Sequence, residues 1–271
     1  MIPPIVDAEW LASPAATDIV LCDIRYYLDG RDGPSAFEAG HIPGARYVDM
    51  DTVLASPAAP IVGRHPMPTP ETFAKGMAAV GVSNDAVVVA YDDLGGMVAG
   101  RLVWMLRIIG QPAALLDGGI KAWGGPVETG AVTTAGVPRL AVEWPSEAMA
   151  DANEVAAHIS AGGIVVDSRA AERYRGDTEP VDPRAGHVPG AINLPFSDNL
   201  TGEGRYRDTA ELTERFETAG VNGDSIVYCG SGVSACNNLL AIEAAGLGRP
   251  RLYVGSWSGW SSDSERPAAT S

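Results

Sequence analysis

The strongest constraint on the fold is an internal repeat, because two motifs recur in the same order in each half of the chain. Residues 21–25, Leu-Cys-Asp-Ile-Arg, are followed by residues 40–45, Gly-His-Ile-Pro-Gly-Ala. Residues 165–169, Val-Val-Asp-Ser-Arg, are followed by residues 186–191, Gly-His-Val-Pro-Gly-Ala. A chain of 271 residues with such self-similarity is predicted to contain two domains of one fold.

Short apolar runs alternate with helical segments in both halves. The runs, which predict buried parallel strands, lie at 18–24, 86–91, 113–117, 163–168, 225–228 and 251–254. Residues 97–109 and 233–245 are predicted to be well-buried helices. The alternation predicts an α/β fold of two tandem domains, each a mostly parallel sheet flanked by helices. We predict domains at 1–130 and 147–271, joined by a linker at 131–146 that lacks a clear period.

Composition limits the classes of partner. A formal net charge of −15 makes the chain repel nucleic acids and anionic lipid surfaces. The N-terminus has no basic start, and no segment stays apolar for the length of about 18 residues that a membrane span needs. Three cysteines make no disulfide framework, and a zinc site is not expected without a Cys-x-x-Cys pair or a histidine cluster. These features predict a cytoplasmic protein with reduced thiols, no bound metal, no nucleic acid partner and no membrane association.

Comparison of the two halves separates residues that serve the fold from residues that differ. Asp and Arg at 23 and 25 match those at 167 and 169, which predicts that they tie the strand end to neighbouring loops. His41 matches His187, and both are interpreted as turn and packing residues beside a Pro-Gly turn. Residues present in both halves are therefore assigned to structure.

The informative difference follows the third apolar run, where Tyr91 precedes Asp92 and Tyr228 precedes Cys229. Ligands bind at this carboxyl edge of open α/β sheets. The residues after Cys229 can form a cradle of backbone N–H groups at a helix start: Gly230, Ser231, Gly232, Val233 and Ser234. A thiolate there would have a lowered pKa and act as a nucleophile, and the same cradle could hold a persulfide.

Other interpretations of this loop stay open. Cys229 could be a buried structural cysteine before an ordinary turn, and Cys236 either a resolving thiol or a small core residue. A cysteine phosphatase is disfavoured, because the arginine that clamps phosphate six residues after the cysteine is replaced by Ala235.

Together these motifs resemble the tandem rhodanese family over essentially the whole chain. The loop Cys229–Ser234 is similar to that of 3-mercaptopyruvate sulfurtransferases, usually Cys-Gly-Ser-Gly-Val-Thr, and departs from it at Ser234. Thiosulfate sulfurtransferases usually carry Arg and Lys after the cysteine. The resemblance implies a rhodanese-like domain in each half, with the first inactive and the second catalytic. Thiosulfate:cyanide transfer, and a non-catalytic module that binds partners or senses oxidants through Cys229 and Cys236, are the alternatives.

The resemblance also implies roles for particular residues. Cys229 would carry sulfur from 3-mercaptopyruvate or thiosulfate, as a persulfide, to cyanide or to a thiol such as thioredoxin, without a cofactor. Arg173, in an Arg-Tyr-Arg-Gly segment, and Arg184, in a Pro-Arg pair, would hold the carboxylate of the substrate. Ser231 would assist proton transfer, with His41 and Asp32 as its relay.

Overall fold

The computed structural model describes residues 2–13 and 19–271, which form two compact units. The first unit comprises the described residues up to Ser56, together with Pro68–Trp144 and Gly202–Tyr206. The second comprises Pro57–Met67, Pro145–Thr201 and Arg207–Ser271. Residues 57–67 thus belong to the second unit although they lie in the first half of the sequence.

The first unit holds a five-stranded sheet whose strand order is β1-β5-β4-β2-β3, with every pair parallel. Its strands are β1 (Ile5–Val6), β2 (Ile19–Asp23), β3 (Arg46–Tyr47), β4 (Val87–Tyr91) and β5 (Ala113–Leu116). Its helices are α1 (Ala8–Leu11), α2 (Gly33–Ala39), α3 (Met50–Val53), α4 (Pro70–Ala79) and α5 (Ala99–Ile108), with a 3₁₀ turn at Gly119–Ala122. Asp18, where the first predicted strand begins, lies outside the described residues.

The second unit repeats this plan in the same topological order, β6-β10-β9-β7-β8, again with parallel pairs throughout. Its strands are β6 (Met149–Ala150), β7 (Val165–Asp167), β8 (Ile192–Asn193), β9 (Ile226–Tyr228) and β10 (Arg251–Tyr253). Its helices are α6 (Ala152–Ser160), α7 (Ala171–Arg175), α8 (Thr209–Thr218), α9 (Ala235–Ala244) and α10 (Ser256–Ser262), with 3₁₀ turns at Ser146–Ala148 and Phe196–Asn199. The predicted α/β class with two parallel sheets is confirmed.

The shared motifs do the same structural work in both units. The buried Tyr91 hydroxyl accepts the Ile42 N–H at 2.9 Å, and the Tyr228 hydroxyl accepts the Val188 N–H at 3.1 Å. Each bond joins a central strand to the Gly-His turn, and burial raises the pKa of Tyr91 and of Tyr228 far above the ordinary value. A neutral buried hydroxyl that donates or accepts without ionising is suited to this structural task.

The Asp-x-Arg motif closes the strand end, as predicted. Arg25 pairs with Asp23 and donates to the Gly40 carbonyl at 3.2 Å. Arg169 pairs with Asp167 and donates to the Gly186 carbonyl at 2.7 Å. Both arginines therefore tie the end of a strand to the glycine of the following Gly-His motif.

Candidate active site

Cys229 follows β9 directly, and its loop is fastened to the start of α10. The Cys229 N–H donates to Ser256 Oγ at 3.2 Å, and the Cys229 carbonyl accepts the Trp257 N–H at 2.9 Å. The next carbonyl, of Gly230, accepts the Ser258 N–H, also at 2.9 Å. Ser256 has a φ of +51°, a region that side chains other than glycine rarely adopt, so its hydroxyl is held at the loop at a cost in backbone strain.

The predicted cradle residues lie between Cys229 and α9. Gly232 has a φ of +76°, which a glycine adopts without strain and which curls the loop. Val233 and Ser231 are buried, and Ser234 stands immediately before the first residue of α9. Cys229 itself is 1% exposed, so the loop shields the sulfur from bulk water.

The matched loop of the first unit holds a buried carboxylate where the second unit has Cys229. The Asp92 carboxylate, at the position of Cys229, accepts backbone N–H groups from Leu94, Gly96, Val98 and Ala99 at 2.8–2.9 Å. Asp92 is fully buried; burial raises the pKa of its carboxyl, and the four N–H groups act in the opposite direction. In the first unit, the loop between the central strand and the helix therefore surrounds a negative group with donors.

Two arginines stand beside the residue that follows Cys229. A methyl group built on Gly230 would lie 3.5 Å from Nη1 of Arg173 and 3.1 Å from Nη2 of Arg64. Arg173, which the sequence analysis assigned to the carboxylate of the substrate, is on α7, whereas Arg64 comes from the segment 57–67. The sequence analysis did not identify Arg64.

Buried carboxylates hold these arginines in place. Arg173 Nη2 donates to Glu179 at 2.6 Å and to Asp182 Oδ2 at 3.1 Å. Arg64 Nη1 donates to the other oxygen of Asp182, whose side chain is 2% exposed. Arg169 also reaches Glu179, at 3.2 Å. The guanidinium groups are thus positioned by charge-assisted hydrogen bonds to buried carboxylates.

The histidine that contacts Ser231 is His65. Its Nδ1 lies 2.8 Å from Ser231 Oγ, and both side chains are buried. Only four histidines occur in the chain, and His65 lacks the repeat partner that His41 has in His187. His158 lacks such a partner too, so the repeat could have narrowed the choice to two histidines without distinguishing between them.

The side chains predicted as a relay have local partners instead. His41 is 1% exposed, stacks on Phe37 with the ring centroids 4.0 Å apart, and donates from its Nδ1 to the Phe37 carbonyl at 3.0 Å. Asp32 caps α2 by accepting the Ser35 N–H at 2.9 Å, and the hydrogen bonds from Ser35 lower the pKa of this exposed carboxyl. His187 repeats the stacking on Tyr174, at 3.7 Å. These contacts are those of a helix cap and of packing.

Arg184 has a structural set of partners. Its three guanidinium nitrogens donate to the backbone carbonyls of Trp260, Ser261, Asp263 and Arg266 at 2.7–3.0 Å. These N–H groups therefore donate to backbone carbonyls, whereas the resemblance implies that they donate to the carboxylate of the substrate. The residue therefore fastens the segment after α10, and it does not join Arg173 at Gly230.

The other cysteines are buried. Cys236 lies on α9 and its thiol donates to the Gly232 carbonyl at 3.4 Å. Burial raises the pKa of Cys22 to about 12, which leaves that thiol protonated and unreactive. Within residues 2–13 and 19–271, no cluster of His, Cys, Asp and Glu is arranged to hold a metal ion. In the same described part of the chain, no helix is both long and apolar enough to span a bilayer.

The chain is similar to known proteins in sequence and in fold. Residues 7–125 and 151–263 each match the rhodanese-like domain. A Pseudomonas aeruginosa protein provisionally named 3-mercaptopyruvate sulfurtransferase is 40% identical over 93% of this chain and 93% of its own. A Mycobacterium tuberculosis protein provisionally named thiosulfate sulfurtransferase is 36% identical over 93% of this chain and 91% of its own.

The crystal structure of SseA from Escherichia coli, a representative of the rhodanese fold of the 3-mercaptopyruvate enzymes, aligns with a TM-score of 0.80. It is 32% identical, and the alignment covers 95% of this chain and 100% of SseA. Two matched domains in one chain, and relatives that match more than nine tenths of its length, show that the chain belongs to the rhodanese-like family of sulfurtransferases.

Proposed function

We propose that the chain transfers sulfane sulfur from 3-mercaptopyruvate to a thiol acceptor through a persulfide on Cys229. The observation that carries this proposal is the position of Cys229: it ends a central strand, and the equivalent loop of the first unit wraps four N–H groups around the Asp92 carboxylate. A loop of that design stabilises a thiolate before the reaction and a persulfide anion after it.

The proposed reaction is a double displacement. The Cys229 thiolate attacks the sulfur of 3-mercaptopyruvate, and a sulfur–sulfur bond forms while the carbon–sulfur bond breaks. The electron pair of the broken bond leaves on the pyruvate enolate, which takes up a proton to give pyruvate. An acceptor thiolate then attacks the outer sulfur and releases the Cys229 thiolate, which restores the enzyme.

Arg173 and the Ser231–His65 pair supply the remaining roles. Arg173 faces Gly230, next to the nucleophile, where it pairs with the carboxylate of the donor. Ser231 delivers the proton to the enolate, and His65, at 2.8 Å, replaces that proton. His65 thus takes the part that the sequence analysis gave to His41.

The roles of the two units follow from the same comparison. The second unit is the catalytic one, since it contains Cys229, and the first is inactive because Asp92 occupies its own cradle. We place the reaction in a reducing cytoplasm, where Cys229 stays a thiol and a small protein dithiol such as thioredoxin accepts the sulfur.

The direct test is pyruvate release from 3-mercaptopyruvate in the presence of a dithiol, followed by mass spectrometry of the donor-treated protein. We expect turnover and one added sulfur atom on the peptide that contains Cys229. Turnover without a sulfur-loaded intermediate would contradict the double displacement.

The name of the Mycobacterium tuberculosis relative makes thiosulfate the second candidate donor. The loop from Gly230 to Ser234 has no cationic side chain, and the two arginines beside Gly230 share their charge with Glu179 and Asp182, so a dianion has less to gain here than a monoanion. We expect kcat/KM to be higher for 3-mercaptopyruvate than for thiosulfate. The reverse order, measured with cyanide as the common acceptor, would assign the chain to thiosulfate.

Replacing His65 tests the proton-transfer role. Because general acid–base catalysis contributes about 10²- to 10⁴-fold, we expect His65→Gln to lower kcat for pyruvate release by about 100-fold. Ser231→Ala should show a similar loss, and the double variant should lose little more, since the two side chains act together. His158→Gln, on α6, is the control. Losses that simply multiply would show that the two side chains act independently.

A further inference from the structure

Because Arg184 has other partners, Arg173 lacks the second arginine that the resemblance implies. A carboxylate or sulfonate-type group of a sulfur donor is bound more strongly by two guanidinium groups than by one. The guanidinium of Arg184 is committed to four backbone carbonyls. Freeing it would leave those carbonyls without their donors, which is costly in a partly buried segment. The second cation must therefore come from elsewhere in the unit.

We infer that Arg64 is this second cation and that, together with Arg173, it holds the anionic group of the sulfur donor beside Cys229. The inference rests on the proposed function for the identity of the donor. Its basis is geometric: a methyl group on Gly230 would meet Nη2 of Arg64 at 3.1 Å and Nη1 and Nη2 of Arg173 at 3.5 and 3.7 Å. Both guanidinium groups thus flank the residue next to the nucleophile.

A buried carboxylate sets the spacing of the two cations. Asp182 accepts Arg64 on Oδ1 and Arg173 on Oδ2, so each oxygen orients one guanidinium. Two arginines at such close range would otherwise repel each other, and Asp182 offsets that repulsion. A carboxylate in this position holds both guanidinium groups in place before the donor binds, which reduces the conformational entropy lost on binding.

The backbone around Arg64 is equally fixed. The Arg64 N–H donates to Ser258 Oγ at 3.1 Å, and Ser258 donates its own N–H to the Gly230 carbonyl. Gly63, with a φ of +104°, packs so closely on the Gly255 carbonyl that a methyl group would lie 2.7 Å from the oxygen. These contacts fix the position of Arg64 relative to the loop that carries Cys229.

Arg64 can be reached from solvent. Its side chain is 26% exposed, and it lines a cavity of about 270 Å³ together with Asp182, Pro183 and Ser258. Arg173 and Gly230 do not line this cavity, so the position of the donor rests on the contacts of Gly230 and not on the cavity.

The test measures binding apart from turnover. Calorimetry with 3-mercaptopyruvate compares Cys229→Ser with the double variant Cys229→Ser/Arg64→Met, neither of which can form the persulfide. Losing one charge-assisted pair should raise Kd by about 10- to 100-fold. Arg207→Met in the Cys229→Ser background is the matched control, since Arg207 is an exposed arginine of the same unit that pairs with Glu211.

Steady-state kinetics on the otherwise native chain provide the second readout. We expect Arg64→Met to raise KM for 3-mercaptopyruvate by at least 10-fold and to change kcat by less than about 3-fold, since binding is lost before chemistry. Arg64→Lys should recover part of the loss, because lysine restores the charge but lacks the planar fork. A purely structural role would give no such graded recovery in KM.

Unchanged Kd in the double variant would overturn the inference, whatever the turnover. If Cys229→Ser binds the donor in an Arg64-dependent way while the native protein releases no pyruvate, the proposed reaction fails and the assignment of Arg64 stands. A fall in kcat with KM unchanged would also overturn it, since Arg64 would then act on the chemical step.

Discussion

Replacing Cys229 with serine is expected to abolish pyruvate release from 3-mercaptopyruvate. The hydroxyl of serine has a far higher pKa than a thiol, and its oxygen cannot store a transferable sulfur, so the proposed persulfide does not form. We expect kcat to fall by at least about 10⁴-fold, which a coupled assay for pyruvate would record as background.

The matched control for Cys229→Ser is Cys236→Ser. Cys236 is the second residue of α9 and its thiol donates to the Gly232 carbonyl, so its replacement should leave turnover within a few fold of the native rate. Loss of activity in Cys236→Ser, together with a Cys229–Cys236 disulfide after mild oxidation, would contradict a simple persulfide enzyme and favour a redox sensor.

Replacing Asp92 with alanine is expected to give the largest loss of stability. Four backbone N–H groups would lose the fully buried carboxylate that accepts their hydrogen bonds, and three of these hydrogen bonds are themselves buried. An unsatisfied buried donor costs about 1–3 kcal/mol, and partial relaxation reduces the sum. We expect the free energy of unfolding to fall by about 4 kcal/mol, measured by urea denaturation followed by circular dichroism.

Two further variants make the Asp92 result interpretable. Asp92→Asn keeps one carbonyl oxygen as an acceptor and should lose about half as much. Asp85→Ala removes an exposed carboxylate of the same unit and should change stability by less than about 0.5 kcal/mol. If Asp92→Ala unfolds at the same urea concentration as the native protein, the four N–H groups are not stabilised by this carboxylate.

Periodicity and the repeat were sufficient for the fold and for one part of the site. Val, Ile and Leu runs mark the parallel strands because both faces of such a sheet are covered. The comparison of matched positions singled out Cys229, which stands where the first half has Asp92. Each of the two residues follows a strand that ends in a tyrosine and precedes a helix. Local sequence carries this information because each of these elements is formed by neighbouring residues.

The rest of the site depends on packing over long distances in the sequence. Ser231 and His65 are 166 positions apart, and Arg64 and Asp182 are 118 apart. No periodicity links such pairs. The motif around Arg184 was equally uninformative, because whether an arginine faces a substrate or a set of carbonyls depends on the path of the chain after α10.

The division of the chain into units has an evolutionary consequence. Segment 57–67 belongs with the second sheet, and segment 202–206 belongs with the first, at matched places in the repeat. Severing the chain between the halves would give two products, each missing a piece of its own unit, and the carboxyl-terminal product would lack Arg64 and His65. Recombination between the halves would therefore break both units, and mutations at 57–67 act on the unit that contains Cys229 although these residues lie in the first half of the sequence.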